Sequence, residues 1–225
     1  MKKTALMLLM GALAVFGASA GDLAVLENLG FSPDGRYFMF AQHVLLTDSG
    51  QAYAELAVVD VAKNEFVPGG FRKGSWDVGM WPGQSSKGAM LELLEQASDV
   101  KERYGISHVE SGRLLYTRVD GDEESGVLSF RDFEEGGRTY GLTVNQEAGE
   151  DDSAAFYIDM TVTDPSGLSK TYQVGRPGYF RSGVASYRID RVWLGPNGRS
   201  LVIAVAKIGT DLSARYMVET LVLAR

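Results

Sequence analysis

Apolar and polar residues alternate in steps of two along most of this chain. The clearest run is FYIDMTVT, Phe156 to Thr163. Phe156, Ile158, Met160 and Val162 fall on one face, with Asp159, Thr161 and Thr163 on the other, the pattern of a half-buried strand. Asp164-Pro165-Ser166-Gly167 follows, with Pro second and Gly fourth as a type I turn prefers, and LSKTYQV reads as the returning strand. Gly136-Gly137 likewise separates VLSFRDF from RTYGLTVNQ, a second hairpin. Only one segment has helical period. From Ala89, apolar residues recur at Met90, Leu93, Leu94, Ala97, Val100 and Tyr104, while Glu92, Glu95, Asp99 and Glu102 cover other faces. Ser85 or Ser86 suits the start and Gly105 the left-handed stop. The pattern predicts one α-helix near residues 87–104, packed on a sheet.

A turn signal recurs at the two ends of the chain. Pro33-Asp34-Gly35-Arg36 is followed by YFMFAQHV, and Pro196-Asn197-Gly198-Arg199 by SLVIAVAK. Each then leads through a loop to a second strand, YAELAVVDV or ARYMVETLVLA. Turn, strand, loop and strand at matching spacing indicate an internal repeat. The expected fold is mainly β: antiparallel sheets of about ten strands, in a propeller-like arrangement of small sheets or, alternatively, a β-sandwich.

Two resemblances bear on this. FSPDGRYFMF followed by AVVDVAKNEF resembles a blade of the TolB type of β-propeller, in which a Ser-Pro-Asp-Gly turn precedes an inner strand. LENLGFSPDGRYFMFAQ, ELAVVDVAKNEFVPGG, FRDF, AAFYIDM and RYMVET, taken in order, resemble a family of bacterial predicted secreted proteins of unknown function. That resemblance implies an exported single-domain protein and brings no activity and no assigned site.

The first twenty residues read as an export signal. Lys2 and Lys3 precede an uncharged stretch from Thr4 to Phe16, and Ala18-Ser19-Ala20 gives the small-x-small cleavage pattern, with cleavage between Ala20 and Gly21. The stretch is shorter than the ~20 apolar residues a span requires. Residues 21–225 are then one β-rich domain without a membrane span, periplasmic or secreted. The chain has no Cys, which excludes disulfides, a thiol nucleophile and lipid attachment at the cleavage point. Losing Lys2 and Lys3 takes the formal net charge from −7 to −9. The charge is uneven: residues 21–165 hold 11 basic and 26 acidic side chains, residues 166–225 hold 9 and 3. An acidic chain without a basic tract is a poor nucleic-acid binder. The basic C-terminal part either meets an anionic partner or packs near the acidic remainder.

Motifs for catalysis are missing. His43 and His108 are the two histidines, and neither sits in a nucleophile-elbow or zincin motif. DGDEESG (120–126) begins like a calcium loop, but Ser125 replaces the required Gly, and Arg131 the twelfth-position Glu. EAGEDDS (147–153) reads as a solvated loop. No catalytic residue, metal site or cofactor is expected. Two aromatic clusters are the binding candidates. GSWDVGMWPGQSS (74–86) puts Trp76 and Trp81 in a Gly-rich loop before the helix, offering flat faces to a ligand or anchoring loop and helix on the sheet. VGRPGYFRSGVASYRIDRVW interleaves Arg176, Arg181, Arg188 and Arg191 with Tyr179, Phe180, Tyr187 and Trp193. Guanidinium groups beside rings suit bidentate capture of carboxylate or phosphate; Arg176, Tyr179, Arg181, Tyr187 and Arg188 are the residues singled out. Glu219 shares a strand face with Met217, Leu221 and Leu223, and burial there requires a partner. The expected function is a non-enzymatic binding or interaction protein of the cell envelope, its partner an envelope protein or anionic polymer. The alternative is a carboxylate-dependent hydrolase acting on an envelope polymer.

Overall fold

The computed structural model describes residues 21–224 apart from Met80, Pro82 and residues 120–125 and 135–136. The export signal and most of the DGDEESG loop therefore lie outside the described residues. Consecutive strands pair through short turns into three open sheets. The first sheet runs in sequence order: β1 (Val25–Phe31), β2 (Tyr37–Leu46), β3 (Gln51–Asp60) and β4 (Glu65–Asp77). The helices α1 (Lys87–Gln96) and α2 (Ser98–Arg103) follow, then β5 (Arg113–Thr117). An outer sheet holds β6 (Val127–Arg131), β7 (Thr139–Ala148), β8 (Ser153–Thr163), β9 (Ser169–Gly175) and β10 (Arg181–Ser182). The central sheet has the order β13-β12-β11-β5, with β11 (Val184–Leu194), β12 (Ser200–Gly209) and β13 (Ala214–Val222). All ladders within the sheets are antiparallel. The described residues thus form thirteen strands against the ten or so expected; the short β10 and the isolated β5 carry too few alternations to be read.

Side-chain alternation explains the stacking. Along β12, Leu201, Ile203 and Val205 enter a core shared with Phe156, Ile158 and Met160 of β8, while Val202 and Ala204 enter a second core with Phe38, Phe40 and Val59 of the first sheet. β12 is therefore apolar on both faces, as a central strand must be. β2 repeats the arrangement: Phe38 and Phe40 face the central sheet, Met39 and Ala41 face the helices. The layers run helices, first sheet, central sheet, outer sheet. Such stacking is sandwich-like, one of the two arrangements the sequence left open.

The helical stripe divides where it is most tightly packed. Met90, Leu93, Ala97 and Val100 are buried, as expected, but Ala97 leaves helical geometry (φ −100°, ψ 13°) and separates α1 from α2. The Ala97 amide bonds to Leu94 O and the Val100 amide to Ala97 O, tightening the chain to three-residue bonds.

The two Pro-Asx-Gly-Arg turns lie against each other. Asn197 Nδ2 donates to the Asp34 carbonyl at 2.8 Å, and a Cβ on Gly35 (φ +70°) would stand 2.5 Å from that nitrogen. Asp34 Oδ1 accepts the Arg36 amide and Asn197 Oδ1 the Arg199 amide, the same Asx turn twice. These turns launch β2 and β12, which face each other across one core, so the sequence repeat has a structural counterpart.

One edge of the central sheet is plugged by amides of the first. Gln42 on β2, 2% exposed, accepts the Tyr216 amide at 2.7 Å through Oε1 and donates to the Tyr216 carbonyl at 3.0 Å through Nε2. Asn64, at φ +54° in the β3–β4 turn, accepts the Thr220 amide at 2.8 Å. Both replace the neighbouring strand that β13 lacks, which protects an otherwise open edge.

Candidate functional site

The edge of β13 opens into a cleft of about 350 Å³. The β3–β4 turn forms one wall with Lys63, Asn64, Glu65 and Phe66, and the segment joining β9 to β10 forms the other with Gly175, Arg176, Tyr179 and Arg181. Met217, Val218 and Glu219 of β13 form the floor. The sequence dictates the second wall. β9 and β10 both lie along the edge of β8 away from β7, and residues 176–180 interrupt them. Pro177 cannot donate to the ladder, and Gly175 (φ +89°) and Gly178 (φ +69°) turn the chain outward.

Arg181 is held among three rings. Its guanidinium carbon lies 4.8 Å from the ring centre of Tyr179, 5.5 Å from Phe156 and 5.9 Å from Tyr187. Such contacts are worth about 0.5–2 kcal/mol each, more when water is excluded. Arg181 Nη1 is buried and has no hydrogen-bond partner among the described residues. Arg176 also lies over the Tyr179 ring, at 5.4 Å, on the exposed rim. Beneath them Glu219 is 4% exposed. Asn64 Nδ2 donates to one of its oxygens, and the Gly175 amide also hydrogen-bonds the carboxylate. Burial pushes the Glu219 pKa up, against the opposing pull of the Asn64 hydrogen bond and of the Arg181 and Arg176 charges. Arg215, its neighbour along the strand, instead donates to the Asp22 carbonyl at 2.7 Å.

Of the residues singled out in the sequence, Arg176, Tyr179, Arg181 and Tyr187 come together here. Tyr187 is structural: it is 2% exposed, stacks on Phe156 at 4.3 Å, and its hydroxyl donates to the Ala154 carbonyl at 3.0 Å. Arg188 does not line the cleft; its charge acts on Asp190 and Tyr216. Trp76 packs against the core beneath α1, whereas Trp81 is 72% exposed; neither lines the cleft. Three of the basic C-terminal residues meet backbone carbonyls: Arg191 bonds Leu26 O and also faces Asp190 at 3.3 Å, Arg199 bonds Leu223 O, and Arg215 bonds Asp22 O. Lys63, Asn64, Phe66 and Val218 were not singled out. Asn64 and Glu219 are 155 positions apart, so no local pattern announces their contact.

A Ser-His-acid line occurs elsewhere and lacks the geometry for catalysis. His43 Nδ1 and Ser86 Oγ are 2.7 Å apart, and His43 Nε2 faces Glu27 Oε1 at 3.7 Å. That second distance is too long for a hydrogen bond, and Glu27 also faces Lys87 at 3.4 Å. His43 and Ser86 are 3% and 5% exposed, which seals the hydroxyl from any substrate. Burial lowers the His43 pKa, keeping the ring neutral. The pair pins the start of α1 to β2; Ser85 Oγ, not Ser86, accepts the Lys87 amide. His108 bonds the Leu29 carbonyl at 2.6 Å.

No helix among the described residues is long and apolar enough to cross a membrane. No curated protein matches the chain. Residues 39–221, from near the start of β2 almost to the end of β13, match the family model DUF2259, described as a predicted secreted protein, and the chain belongs to that family.

Proposed function

We propose that the protein is a non-enzymatic binding protein of the cell envelope, which holds an anionic group of its partner in the cleft along β13. The observation that carries this is Arg181. A guanidinium packed by three rings, with a buried nitrogen lacking a partner, is pre-organised for an oxyanion and spends little side-chain entropy on binding it. Arg176 adds positive charge at the rim, where Lys63 pairs with Asp60 at 3.9 Å and Glu65 also lines the cleft, and Phe66, 55% exposed and stacked on Phe71, offers an apolar face. The export signal and membership of a family of predicted secreted proteins support the compartment.

The test is retention of biotinylated poly-glutamate, a carboxylate polymer, at low ionic strength. Wild-type protein is expected to bind. Arg181→Gln should weaken binding by at least about tenfold, since a charge-assisted hydrogen bond is worth about 1.5–3 kcal/mol. Arg176→Gln should cost less, and Trp81→Ala nothing. Equal retention by wild type and Arg181→Gln sinks the proposal. Cleavage of an envelope polymer, lost in Glu219→Gln, would favour the hydrolase reading.

A further inference from the structure

Resting on that reading, we propose that the cleft recognises the free C-terminal end of a peptide, its carboxylate on Arg181 and its last peptide group on the backbone of Val218. The argument begins with the edge of β13. In an antiparallel strand, amide and carbonyl groups of alternate residues point to the same side. The Tyr216 amide goes to Gln42 and the Thr220 amide to Asn64, both on the side away from β12, and β13 pairs with β12 without a bulge. Val218 stands midway, so its amide and carbonyl face the same side. It receives no side-chain plug from the described residues and lines the cleft.

The edge therefore presents one peptide-sized vacancy between two occupied ones. A long added strand is excluded, because Gln42 and Asn64 hold the flanking positions. A single peptide group can pair with Val218 as in strand addition. The chain must then end or turn away, and the cleft it enters is lined by two guanidinium groups. Arg181 and Arg176 lie on the wall contributed by the outer sheet, with Arg181 Nη1 unpartnered. One residue that supplies a backbone amide and, directly after it, a carboxylate satisfies both features, and that is a peptide C-terminus. Inorganic phosphate would satisfy Arg181 without offering Val218 the paired amide and carbonyl of a peptide group. Phe66 and Met217 give the terminal side chain an apolar surface.

Three probes separate the possibilities: N-acetyl-trialanine, its C-terminal amide, and inorganic phosphate. Each is titrated into the ¹⁵N-labelled protein purified after expression with its own export signal. The acid is expected to bind at least about tenfold more tightly than the amide and to shift the Val218 and Gly175 amide signals. Arg181→Gln should remove that preference and Arg181→Lys reduce it; the dispersion of each variant's spectrum reports whether it is folded. Equal binding of acid and amide, or binding that leaves Val218 unmoved, overturns the inference. If phosphate binds in an Arg181-dependent way and the peptide acid does not, the inference falls and the anion cleft stands. If neither binds, both fall.

Discussion

Replacing Gln42 tests the account of how the sheets are joined. Its carboxamide makes three hydrogen bonds: 2.7 Å and 3.0 Å to Tyr216, and 2.7 Å to Glu55 Oε2. Glu55 is also met by the Tyr53 hydroxyl on its other oxygen, so it keeps one partner when Gln42 is lost. Gln42→Leu preserves most of the volume and strips the polar contacts from the Tyr216 amide and carbonyl. A buried donor or acceptor left unpaired costs about 1–3 kcal/mol, and the added apolar surface returns part of that. The net loss expected is about 2–4 kcal/mol. A domain of this size loses roughly 2–4 °C per kcal/mol, so Tm should fall by about 5–15 °C. Urea unfolding followed by tryptophan fluorescence measures the loss through the midpoint. Gln42→Glu is the sharper variant. Above the carboxylate range it cannot donate to Tyr216 and sets a second charge beside Glu55, so it should be less stable than Gln42→Leu at pH 7 and recover on acidification. A Gln42→Leu protein within about 0.5 kcal/mol of wild type would refute the reasoning.

Other outcomes follow from the same structure. His43 has a pKa lowered by burial, so between that value and the ordinary 6.5 the unfolded chain binds a proton that the folded one does not. Its contribution to stability is present above 6.5 and is lost as pH falls through this window; His43→Asn should flatten the slope of a urea midpoint measured against pH. Trp76→Ala should cost about 2 kcal/mol, because the indole packs beneath α1, whereas Trp81→Ala should change stability by less than about 0.5 kcal/mol. Thermal unfolding of the two variants side by side checks the contrast.

Much of the fold was legible because β-structure writes a local signal. From Phe156 onward β8 keeps its period of two, and Phe156, Ile158, Met160 and Val162 are all buried as the alternation requires. The turn from Asp164 to Gly167 closes with the expected bond from the Gly167 amide to the Asp164 carbonyl, at 3.0 Å. β12 was visible as a strand, yet its unbroken apolar run is what places it in the middle of the stack. The break at Ala97 was not legible, since alanine is the best helix former. The candidate site was half legible. The Arg-aromatic segment showed itself through composition, but the partners of Arg181 were obscured by chain reversal. Tyr187 went to the core and Arg188 to the opposite face of the strand, because β11 alternates faces; it also carries bulges between Val184 and Ser186 and between Ile189 and Arg191. Glu219 read as a carboxylate needing a partner; the partner came from a turn in a different sheet. Such contacts depend on how layers stack, a property no window of sequence contains.

The central claim is that the cleft between residues 63–66 and 175–181 is where this protein binds an anion. The most direct measurement is ¹⁵N chemical-shift mapping during titration with a carboxylate ligand such as poly-glutamate. The account predicts that the shifted amides cluster at Gly175, Arg176, Tyr179, Arg181 and Val218, and that Arg181→Gln abolishes the pattern. Shifts centred on Trp81, or a pattern unchanged in Arg181→Gln, would contradict it.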